Sequence, residues 1–156
     1  MKKVIAALLL LSMILTLTAC GKEPSVTDLL DYPIGSKSVS ECKKFLKNCG
    51  FEVESATDAY INFKGDAWSG IASMSFPYSV TLNYNQFLAK GSFEDTLKTV
   101  QAELKAACGE PYASDTNTML KMTTEFYSYG DKVIHVAVTT SPMNSIGITM
   151  MPAPSK

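Results

Sequence analysis

"SFEDTLKTVQAELKAACGEP", residues 92–111, decides the fold. Ser92 with Asp95 has the composition of a helix cap. Phe93, Leu97, Val100, Leu104 and Ala107 with Cys108 recur at helical spacing and trace one apolar stripe. Glu94, Lys98, Gln101, Glu103 and Lys105 take the wetter side, and Gly109 with Pro111 stops the helix. A helix with one apolar stripe needs a second apolar surface to pack against.

Earlier in the chain, "SVSECKKFLKNCGF" at 38–51 has the same grammar. Ser38 and Glu41 make a capping box. Val39, Cys42, Leu46 and Cys49 form the stripe with Phe45 beside them, and Gly50 is placed for a left-handed stop. Both helices end in Cys-Gly, and strand-like sequence follows each. After the first come "AYINF", "GIASMSF" and "SVTLNYN"; after the second come "KMTTEFYSY", "KVIHVAVTT" and "SIGITMM". Ile61 and Phe63, Ala72, Met74 and Phe76, Val80, Leu82 and Tyr84, Ile134, Val136 and Val138, and Ile146, Ile148 and Met150 alternate with small or polar residues. This is the pattern of an antiparallel sheet with one wet face. Gly130-Asp131 marks a tight hairpin. The expected fold is α+β, with two helices on one face of an antiparallel sheet. Its helix-plus-three-strand order recurs over 38–90 and 91–151. The domain is expected to span 38–151, with 152–156 as a tail.

The segment "TVQAELKAACGEP" resembles the helix-to-strand signature of a group of small bacterial envelope proteins. These are the small lipoproteins of the outer-membrane assembly machine and the tandem-repeat β-lactamase inhibitor proteins. Thr99, Val100, Gln101, Leu104, Gly109 and Pro111 carry the match, and "EFYSYGDKVIHVAV" is similar to the tyrosine-rich hairpin of the same group. The resemblance implies helices packed on one sheet face and an activity of protein binding. The first helix departs from the pattern, with no proline after Gly50.

The N-terminus carries an address. Lys2 and Lys3 precede an apolar run from Val4 to Ile14, and Leu17-Thr18-Ala19-Cys20 ends it. Such a head, core and small-residue end describe a secretory signal peptide over 1–19. Leu17, Ala19 and Cys20 resemble the lipobox of bacterial lipoproteins, which implies a diacylglycerol on the Cys20 thiol and cleavage before it. Each buried methylene contributes about 0.8 kcal/mol, so several acyl chains anchor firmly. Residues 20–37 then read as a lipidated cysteine and tether, with Leu29, Leu30, Tyr32 and Ile34 apolar enough to dock in part.

Composition narrows the function. The chain of 156 residues has a formal charge of −1, and all 14 basic residues are lysines. The absence of arginine and of a basic run argues against nucleic-acid partners. One histidine, His135, and cysteines without a Cys-x-x-Cys pair make a poor metal site, so neither metal nor cofactor is expected. No nucleophile elbow or phosphate-cradling loop occurs. Glu52 and Glu54 share a strand face and read as a solvated pair. After acylation of Cys20, three cysteines remain. The matched helix ends make Cys49–Cys108 the candidate disulfide, with free buried thiols as the alternative. Cys42 and Cys49 stand about 10 Å apart by helical rise, too far to bridge.

The expected protein is therefore a non-enzymatic lipoprotein, anchored in the bacterial envelope on the extracytoplasmic side, that binds an envelope or secreted protein. A small-solute-binding lipoprotein and a small hydrolase are the alternatives. With Phe126 placed inward, Tyr127 and Tyr129 point outward beside Tyr60 and His135. These rings, with Trp68 at a glycine-flanked turn, are the candidate partner-binding residues.

Overall fold

The computed structural model describes residues 24–35, 37–140 and 143–154. The expected signal peptide over 1–19, Cys20 and the last two residues lie outside these. Among the described residues, two α-helices, α1 (Val39–Asn48) and α2 (Phe93–Cys108), pack against one eight-stranded antiparallel sheet. The strands are β1 (Glu52–Ala56), β2 (Tyr60–Gly65), β3 (Trp68–Ser73), β4 (Ser79–Tyr84), β5 (Ala113–Asn117), β6 (Met122–Tyr129), β7 (Lys132–Thr139) and β8 (Ser145–Pro152). Among the described residues, no helix is long and apolar enough to cross a membrane.

Both helices begin as their sequences dictate. The Ser38 side chain accepts from the Glu41 amide while the Glu41 carboxylate accepts from the Ser38 amide. Those contacts, with Lys37 nearby, hold the Glu41 carboxyl below its ordinary range. Ser92 accepts from the Asp95 amide in the same way. Gly50 and Gly109 follow with φ of 91° and 82°, a region that favours glycine.

The order is helix then four strands, twice, rather than helix then three. The added strands, β1 and β5, are the two sheet edges. An edge strand is paired on one side only and carries little apolar patterning. All five residues of β5 are exposed. On β1, Glu54 and Glu52 pair with Lys64 at 2.9 and 3.8 Å. The hydrogen bond that Lys64 donates to Glu54, and the charges of both acids, raise the Lys64 pKa.

The sheet order is β1-β2-β3-β4-β8-β7-β6-β5. The last strand of each half meets the other, antiparallel, in the register Val80–Met150, Thr81–Thr149 and Leu82–Ile148. The halves are thus related by an approximate two-fold through this seam. Ile61, Phe63, Val80, Leu82, Ile134, Val136, Ile146 and Ile148 turn toward the helices and are buried, together with Cys42, Leu46, Val100 and Leu104. A side chain so buried contributes about 1.5–3 kcal/mol relative to exposure.

The expected tether is too long. Residues 24–35 form part of the core, with a 3-10 turn at Val26–Leu29 and buried Val26, Leu29, Leu30 and Tyr32. The Tyr32 ring meets Phe45 of α1 edge-on at 5.7 Å, while Ser25 donates to Glu103 of α2 at 2.7 Å. Lys132 donates to the Leu30 carbonyl at 2.6 Å, and Tyr129 donates to Asp31 at 3.1 Å. Four apolar residues in so short a segment complete a core that two helices leave partly uncovered. The C-terminal boundary moves as well: β8 runs through Pro152, beyond the expected 151. Strand β3 is shorter than its alternation suggests. It stops at Ser73, and Phe76 is 87% exposed in a loop with a cis Phe76–Pro77 bond.

Candidate functional site

The two sheet faces differ in kind. One is covered by helices and the N-terminal segment. On the other, paired residues run across the strands from Asn62 through Ile71, Thr81, Thr149 and His135 to Phe126. Small and polar residues dominate its centre, where the Thr81 and Thr149 hydroxyls lie 3.2 Å apart.

The expected ring cluster is divided between these faces. Tyr60 and His135 lie on the uncovered face, as expected, but four strand spacings separate them, about 19 Å. Tyr127 and Tyr129 face the helices instead. Tyr127 pairs with Ile134 and is 2% exposed; Tyr129 pairs with Lys132. The Tyr127 hydroxyl donates to Glu125 at 2.8 Å, and that carboxylate also accepts from Gln101 of α2 at 3.5 Å. Burial first, and the neighbouring Glu125 second, push the Tyr127 hydroxyl well above its ordinary range. Its role is to close the core over a carboxylate. The hydrogen bond to Asp31 raises the Tyr129 pKa.

The misplacement has a local cause. Strand β6 is mixed on both sides, with Phe126 on one and Tyr127 and Tyr129 on the other, so its own alternation does not assign the faces. Pairing does. A two-residue turn at Gly130-Asp131 sets Tyr129 opposite Lys132 and Tyr127 opposite Ile134. Directly paired residues share a face. The inward Ile134 and the hairpin turn, taken together, were the sequence signal that places Tyr127 inward.

Trp68 is also on the covered side. Its ring meets Tyr84 at 5.5 Å, and Tyr84 lies 6.0 Å from Phe93. These rings border a cleft of about 350 Å³ that Lys90 and Glu103 also line.

The uncovered face has an aromatic cluster of different membership. Phe126 and His135 meet edge-on at 4.7 Å, and Tyr112, 60% exposed, lies 6.3 Å from Phe126. With Val133, Met151 and Pro152 they line a shallow groove of about 440 Å³ that is mainly apolar. Strand pairing brings these residues together from β6, β7 and β8 and from the residue preceding β5. No short motif could reveal the cluster.

The Cys49–Cys108 bridge is not formed. Cys108 is a free thiol whose pKa burial raises, and the Cys49 thiol donates to the Asp28 carbonyl at 3.4 Å. The approximate two-fold explains this. Helix α1 ends where β1 begins, at the sheet end holding the β2–β3 turn; α2 ends where β5 begins, toward the opposite end. Helix α2 alone is about 24 Å long. Matched positions in sequence are thereby set at opposite ends of the molecule, far beyond disulfide reach. The helices and their cysteines also lie across the sheet from His135. Among the described residues, no group of three or more histidine, cysteine or acidic side chains is placed to hold a metal ion.

Comparison of this chain with protein-family models, curated proteins and solved structures finds no match.

Proposed function

We propose that this chain is a lipid-anchored lipoprotein of the bacterial envelope, held on the extracytoplasmic side, and that it binds a partner protein through its uncovered sheet face. It acts in this reading as a binding module rather than an enzyme. The carrying observation is the groove of Tyr112, Phe126, Val133, His135 and Met151 beside the polar field of Thr81, Asn83 and Thr149. Aromatic anchors inside a polar surround concentrate binding energy in many protein interfaces. The lipobox-like ending at Cys20 supports the anchor, and the resemblance of residues 99–111 to envelope binding proteins points the same way.

The test replaces Phe126 and His135 singly with alanine in the acylated protein. Each variant is compared with the parent for thermal unfolding and for capture of partners from detergent-solubilised envelope. Loss of a specific captured protein with unchanged unfolding supports the site. Undiminished capture by both variants overturns it.

The cleft beside Trp68 and Tyr84 favours a second reading, binding of a small solute. It presents two rings and side chains of both charge signs. A solute identified by mass spectrometry of native protein, and lost with Trp68→Ala, would select that reading.

A further inference from the structure

The strand order collects several loops at one end of the sheet. Strand β2 ends and β3 begins there, β4 leaves there, β5 turns into β6 there, and β7 turns into β8 there. Two backbone hydrogen bonds tie neighbouring loops within each half: Asn85 donates to the Ala67 carbonyl at 2.7 Å, and Thr140 to the Lys121 carbonyl at 3.2 Å. Three of these loops carry exposed apolar side chains. Phe87 is 81% and Met119 91% exposed, and Leu88, Leu120 and Met143 are also exposed. Nothing among the described residues covers them.

The N-terminal segment begins at the same end. A Cβ on Gly65, the last residue of β2, would stand 2.6 Å from Cγ of Pro24. Only Gly21, Lys22 and Glu23 separate Pro24 from Cys20. Four residue steps reach at most about 14 Å. The opposite end also exposes a ring, Phe76, but it lies a six-residue strand away, about 20 Å. A chain that short puts the β2–β3 end of the sheet, rather than the Phe76 end, beside any surface in which Cys20 is anchored.

We propose that the sheet end carrying Phe87, Leu88, Met119, Leu120 and Met143 rests in the interface of the bilayer that holds the acyl chains. The proposal rests on the lipid anchor at Cys20. Apolar tips removed from water into the headgroup region gain the transfer energy that no internal contact supplies. Lys90 and Lys121, in the same loops, have stems long enough to leave their amines among the headgroups. The sheet then stands upright on the membrane. Its groove at Tyr112 and Met151, toward the far end, is presented to the surrounding space.

The test uses the acylated full-length protein in phosphatidylcholine vesicles. Trp68, the single tryptophan, is replaced by phenylalanine, and a reporter is introduced as Met119→Trp, Leu88→Trp or, at the far end, Phe76→Trp. Lipids brominated near the headgroup should remove most of the emission at 119 and 88 and leave that at 76 unchanged. Hydrogen exchange of the unaltered protein on the same vesicles should be slowed at 85–90 and 118–121 and unchanged at 74–78. Intact mass is measured on the same sample. Acylated Cys20 with unquenched reporters at 119 and 88 overturns the orientation and leaves the anchor standing; absence of acyl chains on Cys20 removes both.

Discussion

Thr81 and Thr149 place their hydroxyl oxygens 3.2 Å apart across the seam where the two halves of the sheet meet. Each threonine belongs to the last strand of its half. Beneath them, on the covered face, Leu82 pairs with Ile148, and Ile148 pairs with Val136. The core is therefore continuous through the seam, although each half has its own helix and four strands. Ile148→Ala should cost about 2–5 kcal/mol, as other buried truncations do. It should lower amide-exchange protection of β2 and β7 together. Loss of protection confined to the second half would show that the halves unfold separately.

Phe63 crosses the covered face of β3 above Gly70. A Cβ added at Gly70 would overlap the Phe63 ring, which is itself 1% exposed and has little room to retreat. Gly70→Ala should destabilise by about 1–3 kcal/mol, the usual range for overpacking. Chemical denaturation is the measurement, and the double variant Gly70→Ala with Phe63→Leu should recover part of the loss. A neutral single variant would contradict the packing.

The N-terminal segment should behave as core. Leu29 is fully buried, and Leu29→Ala is expected to lower stability by about 2–5 kcal/mol. A leucine in a tether would cost nothing measurable. Thermal unfolding of the single variant distinguishes these outcomes.

Alkaline pH should act most strongly through Tyr32 and Tyr127. Burial, then contact with Cys42, raises the Tyr32 pKa strongly; burial, then Glu125, raises that of Tyr127. Both folded-state values lie above the unfolded one, so their contribution is fully present below the ordinary tyrosine value of about 10. It declines as pH rises from there toward the folded values, because the unfolded chain ionises first. Phenolate absorbance should show a final step, from Tyr32 and Tyr127, coincident with unfolding by circular dichroism. Ionisation of Tyr32 and Tyr127 with the fold intact would count against this.

Cys42 is buried and Cys108 half-buried at the end of α2. Non-reducing peptide mapping of the folded protein should find no Cys49–Cys108 link. A thiol reagent should modify Cys108 before Cys42. Recovery of the 49–108 cross-link as the main species would overturn the opposed placement of the two helix ends.

The sequence alone determined the elements whose signals are local. Helices at 39–48 and 93–108 follow from serine caps, single apolar stripes and terminal glycines. The inward sets on β4, β7 and β8 follow from clean alternation of branched residues against small and polar ones. The α+β class and the recurrence of its order follow from these together. Tertiary structure decided whatever depends on a neighbour. Edge strands β1 and β5 lack an apolar face because each is paired on one side only. The faces of β6 are set by its partner β7, since its own side chains serve both sides. The segment at 26–32 reads as a tether apolar enough to dock in part; that it completes the core depends on the gap two helices and a hairpin leave, which Val26, Leu29, Leu30 and Tyr32 fill. The aromatic groove assembles residues from 112 to 152 that only strand pairing brings together. The separation of Cys49 from Cys108 follows from a two-fold that puts like positions of the repeat at opposite ends. Local signals are written in side-chain order along the chain, whereas pairing and burial depend on which other side chains arrive.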